Sequence, residues 1–108
     1  LSQSAVNSVS LYVFGPLRTD QIYLTCSELR FRSLTPSSPK LERLGSLTLN
    51  GSAVSEMIQL DNIAAGNRRV IYAEAHDAAA TLIGNGCTDD VDIPGGATVE
   101  AEVAIYSL

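Results

Sequence analysis

The sequence predicts an all-β protein, an antiparallel β-sandwich of about seven strands. Three observations carry that expectation. Apolar and polar residues alternate with period two in one segment after another. Turn-forming residues punctuate the chain at intervals of about 8–12 residues. One stretch in the middle is echoed, without a gap, close to the end.

With 108 residues, 45% of them hydrophobic and 18% charged, the chain suits a single domain over 1–108. Residues 1–7, which begin at leucine rather than methionine, read as a disordered or linker start to a processed or trimmed chain, either a mature secreted chain or a piece cut from a larger protein. Twelve acidic residues against seven basic ones give a net charge of −5. That balance excludes nucleic acid as the expected partner, because its phosphates would be repelled. No apolar run approaches the ~18 residues of a membrane helix, so no transmembrane segment is expected.

The elements follow in order. "SVSLYVF" (8–14) sets Val9, Leu11 and Val13 on one side and Ser10, Tyr12 and Phe14 on the other, and Gly15-Pro16 stops it. "QIYLTC" (21–26) reads as a strand with Ile22, Leu24 and Cys26 on one face. "ELRFRSL" (28–34) reads as another, Leu29 and Phe31 inward and Arg30 and Arg32 outward. "TPSSPK" (35–40) is a polar turn. "LGSLTLNGS" (44–52) is a strand through Leu47 and Leu49, closed by a hairpin signal at Asn50-Gly51. "SAVSEMIQL" (52–60) reads two ways, as a short helix capped by Ser52 or as a strand through Ile58 and Leu60; the strand is preferred because the turn favours it.

"AEAHDAAATL" (73–82) is rich in alanine and suggests helix, but its flanks are β-branched and glycine-punctuated. The echo decides for strand. "NIAAGNRRVIYAEA" (62–75) aligns with "DIPGGATVEAEVAI" (92–105), so that Ile71, Ala73 and Ala75 fall on Ala101, Val103 and Ile105. The second copy alternates plainly, with Val99, Ala101, Val103 and Ile105 against Glu100 and Glu102. The first copy is then a strand whose Ile71, Ala73 and Ala75 face inward, while Glu74 and His76 face outward. Asp77 to Ala80 turn the chain before "TLIGNGC" returns.

The run from Ile63 to Ile105 resembles the C-terminal half of prealbumin-like (transthyretin-like, carboxypeptidase-regulatory-like) β-sandwich domains of bacterial surface proteins and lipoproteins. The residues that carry the likeness are Ile63, Gly66, Asn67-Arg68, Ala75-His76-Asp77, Leu82-Ile83, Ile93, Gly95-Gly96 and the strand Val99 to Ile105. The resemblance implies a transthyretin-like sandwich at a bacterial cell surface, outer membrane or periplasm, or in the extracellular medium. It implies no activity, because such domains serve as spacers, adhesin parts and accessory modules, and fold does not fix function. A hydrolase branch of the transthyretin family uses several histidines; with one histidine here, its activity is not expected to carry over.

Candidate sites are few. Cys26 and Cys87 lack a zinc-ligand spacing and are expected to form a disulfide, worth roughly 4 kcal/mol in the chain-entropy account. The alternative is two separate buried thiols. Asp89, Asp90 and Asp92 in "CTDDVD" form a candidate calcium site, though the regular spacing of a calcium loop is missing and a solvated acidic turn explains them as well. Tyr12, Phe14, Tyr23 and Tyr72 are candidates for a carbohydrate platform. Arg68 and Arg69 are expected to pair across strands with Glu74 and Glu100. His76 and Asp77 are neighbours in a strand and point apart, so they form no relay, and no enzyme activity is expected. The expectation is a non-enzymatic extracellular structural or interaction module with a protein or cell-surface partner, the alternative a calcium- or carbohydrate-binding module.

Overall fold

The computed structural model describes residues 3–51, 59–60, 63–95 and 101–108. Among the described residues the protein is mostly β: strands β1 (Ser8–Phe14), β2 (Arg43–Asn50), β3 (Gly66–His76), β4 (Leu82–Ile93) and β5 (Tyr106–Ser107), with one α-helix, α1 (Cys26–Arg30). They form a single open antiparallel sheet in the order β2-β1-β3-β4-β5. Among the described residues there is one sheet of five strands rather than a sandwich of about seven. The reason lies in what covers the sheet.

Cross-strand partners share a face, and the register pairs Tyr12 with Tyr72, Tyr72 with Cys87, and Glu74 with Asn85. On that face the segment between β1 and β2 folds back as a helix and loops. Leu24, Leu29 and Leu41 pack there against Phe14, Val70 and Tyr72 to make the larger core cluster. The opposite face holds Val9 and Ala75 with Val6, flanked by Leu11, Ile83 and Ile105. Ile63 lies against Gly45 on the same face. Both faces of β3 are therefore buried, which the period-two reading did not anticipate. Tyr72 and Glu74 are buried like Ala73 and Ala75.

The largest correction concerns residues 21–34, expected as two strands. Residues 21–25 are loop, with a lone bridge between Leu17 and Tyr23, and Cys26–Arg30 is helical. The cause is local. Thr25 caps the helix through its side chain, and Glu28 reaches back to the Thr25 N–H, which completes a capping box. Phe31, expected inward, is exposed, and Arg30 and Arg32, expected outward, turn to the sheet. Arg32 adopts the left-handed conformation (φ 64°) just past the helix, where its N–H bonds to the Leu29 carbonyl. For a residue with a Cβ that conformation costs roughly 1–2 kcal/mol.

Elsewhere the chain follows its local signals in part. The strand at 8–14, the one through Leu47 and Leu49, and the one over the first echo copy are β1, β2 and β3. Asp77 to Ala80 do turn the chain: the Asp77 carboxylate accepts from the N–H groups of Ala79 (3.0 Å) and Thr81 (2.9 Å). The acidic run is not a turn but part of β4, whose twelve residues continue to Ile93. Of the second echo copy, residues 101–105 carry no strand pairing; the short β5 follows them and pairs with Gly84 and Asn85. Readings of Ser52 to Ile58, Asn62 and residues 96–100 lie outside the described residues. The linker reading of 1–7 meets a 3-10 turn at Gln3–Ala5, a buried Val6, and an Asn7 N–H bonded to the His76 carbonyl at 2.8 Å.

Candidate functional site

Cys26, the first residue of α1, is joined to Cys87 on β4, with the two Cα atoms 5.6 Å apart. The expected disulfide is present, and it pins α1 onto the sheet at the register of Tyr72. Bridges of this kind persist in oxidising compartments outside the cytoplasm.

Beside the bridge runs a buried polar chain. Asn85, fully buried, donates through Nδ2 to the Tyr72 hydroxyl (3.1 Å) and to the Arg30 carbonyl (3.1 Å). Its Oδ1 accepts from Arg30 Nη1, which also donates to the Asn85 carbonyl at 3.0 Å. Both amide hydrogens and the amide oxygen are thus engaged. The Tyr72 hydroxyl donates in turn to Glu74 Oε2 at 2.9 Å, and Arg32 Nη1 pairs with that same oxygen. The series Arg30, Asn85, Tyr72, Glu74, Arg32 starts and ends at the C-terminus of α1 and crosses β4 and β3 between.

Burial shapes the titration of this chain. The Tyr72 phenol is pushed up to about 12, chiefly by loss of water, with Asn85 donation opposing and the Glu74 charge reinforcing. It is a neutral donor at physiological pH. For Arg32, burial works against the charge, but the Glu74 carboxylate and the Tyr72 oxygen outweigh it and raise its pKa. At the other end of α1, Arg18 donates to Asp20 and Glu28 and holds the Asp20 carboxyl below its ordinary value, chiefly through that hydrogen bond.

The remaining candidates do not converge. Asp92 accepts the Arg68 backbone N–H at 3.0 Å and Asp90 pairs with the Arg68 side chain at 3.2 Å, where the pairing of β3 with β4 is bulged. Asp89 and Asp90 are exposed, and among the described residues no three metal-ligating side chains come together. Arg69 donates to the Ala65 carbonyl at 2.9 Å, so Arg68 and Arg69 do not pair with Glu74, which is buried instead against Arg32. The four aromatics make no platform: Phe14 and Tyr72 are fully buried, while Tyr23 is exposed beneath the Arg68 guanidinium. His76 Nε2 stands 3.9 Å from Glu74 Oε1, and the Asp77 carboxylate is engaged in the turn.

A groove adjoins the polar chain at Arg32 and Glu74. It is open to solvent, holds about 280 Å³ and is lined by Arg32, Thr35, Ser37, Arg43, Tyr12 and Glu74, with Pro36 between the hydroxyls. Sequence reasoning missed it, because residues 32–37 were split between a strand and a turn. The capping signal "TCSE" (25–28) pointed to the helix that brings them over the sheet.

The fold and site together define a disulfide-tied antiparallel sheet whose short helix is locked down by a buried polar chain. No protein-family model matches this chain, and neither a curated protein nor a solved structure was found that matches it. Among the described residues no helix is long and apolar enough to cross a membrane.

Proposed function

We propose that the chain is a non-enzymatic module of an exported bacterial surface protein or lipoprotein, acting as a structural or interaction domain outside the cytoplasm. The observation that carries this reading is the Cys26–Cys87 bridge, which ties α1 to the sheet. The polar groups beside it serve each other: Asn85, Tyr72 and Glu74 direct their hydrogen bonds to anchoring α1. Kinship with prealbumin-like sandwich modules belongs to the same proposal, supported by the residue pattern over 63–105 and by the antiparallel pairing of β3 with β4.

Fractionation of the producing cells tests the address. The protein is expected in the envelope or the medium, with neither cysteine open to alkylation under denaturing conditions. Recovery from the cytosol with both thiols alkylated would overturn the proposal.

A further inference from the structure

We propose that the groove between the 32–37 turn and β2 binds a small hydroxylated carboxylate, the chemistry of a sugar acid. This site goes beyond the module reading and stands or falls separately from it.

Arg43 is the anion-binding group. Its guanidinium lies 5.3 Å over the Tyr12 ring, and Tyr12 is stacked on Phe14 at 5.9 Å with planes 6° apart. Nη2 donates to the Pro36 carbonyl at 3.1 Å. Arg43 makes no ion pair with a carboxylate among the described residues, and Nε and Nη1 keep their donors. A guanidinium held on an aromatic face is pre-oriented for a carboxylate, so less entropy is lost on binding. In a chain of net charge −5, the groove carries Arg32 and Arg43 against Glu74.

Glu74 supplies the hydroxyl preference. Its Oε2 is occupied by Tyr72 and Arg32, whereas Oε1 has no hydrogen-bond donor among the described residues, His76 Nε2 standing off at 3.9 Å. A carboxylate this buried gains by accepting a donor at Oε1 as well. The Thr35 and Ser37 hydroxyls, 3.2 Å apart on the lining, each donate or accept. A bare anion would meet Glu74 with repulsion, and a neutral sugar would leave Arg43 unused. A ligand bearing both a carboxylate and hydroxyls complements both groups. About 280 Å³ of open groove has room for a monosaccharide.

Backbone-amide NMR of the disulfide-intact chain, titrated with sodium glucuronate, tests this. Saturable shifts are expected at residues 35, 37 and 43, with a Kd on the order of 1 mM. Arg43→Gln should weaken binding about tenfold, and Arg43→Lys, which keeps the charge but loses the fork, should weaken it too and serves if the first variant folds poorly. Methyl glucoside and acetate should each bind far more weakly than glucuronate, and Lys40→Gln, off the groove, should leave binding unchanged. Failure to saturate, equal binding by both Arg43 variants and the unmutated chain, or acetate matching glucuronate would each overturn the proposal.

Discussion

The Tyr72 hydroxyl donates to Glu74 Oε2 at 2.9 Å, two residues along the same strand and on the same buried face. A carboxylate so placed is tolerable only if charged and neutral donors surround it, and Arg32 and Tyr72 do so from different elements. That relationship explains why a helix of five residues holds its place: its C-terminus is bonded into the sheet through side chains rather than through its own length.

Tyr72→Phe should destabilise the fold by about 1–2 kcal/mol, since Asn85 loses an acceptor and Glu74 a donor in a buried site. Arg32→Gly combines two opposing effects. It relieves the left-handed backbone at φ 64° and removes the pair to Glu74. Because Glu74 is buried and loses its cationic partner, the backbone relief offsets only part of the loss, and a net destabilisation of about 1–3 kcal/mol is expected. Urea unfolding of each variant measures both; a Tyr72→Phe change indistinguishable from zero would contradict the buried chain.

Alkaline titration follows from the Tyr72 phenol, raised from 10.0 to about 12. A group whose folded pKa is raised contributes its stability in full below the unfolded value and loses it as pH rises through the folded one. The stability difference between the unmutated chain and Tyr72→Phe should therefore be constant below pH 10 and narrow between pH 10 and about 12. Unfolding midpoints across that window decide it, and a difference that does not narrow would count against burial as the cause.

Reduction of the disulfide releases a loop of sequence separation 61, and the chain-entropy account puts the loss at about 4 kcal/mol. The Cys26→Ala/Cys87→Ala protein should unfold at lower urea, with the loss of α1 showing as faster amide hydrogen exchange at Leu29 and Arg30. Exchange there unchanged from the oxidised protein would show that the polar chain alone secures the helix.

Gly86 marks a close approach. A Cβ built there would overlap the Ala104 carbonyl oxygen, a backbone atom that cannot rotate away. Gly86→Ala should displace the 101–105 segment and cost about 1–3 kcal/mol, with Ile105 leaving its place against Val9 and Ala75. Limited proteolysis near residue 104, faster in the variant, checks it.

The features legible in the chain alone were local ones. Period-two alternation marked β1, the internal echo marked β3, Asp77 to Ala80 marked the turn between β3 and β4, and the lack of a zinc-ligand spacing together with the expected exported address favoured a bridge between Cys26 and Cys87. "TCSE" carried the helix signal as well, though the alternation of Leu29 and Phe31 masked it. Which face each residue serves was settled by the fold in three dimensions. Alternation separates two faces of a strand but does not say that both are covered, and folding residues 15–42 back over the sheet buried Tyr72, Glu74 and Asn85. Arg30 and Arg32 then became partners of Asn85 and Glu74 from 55 and 42 positions away. Such contacts depend on chain closure in space, and no short window of sequence contains both ends of them.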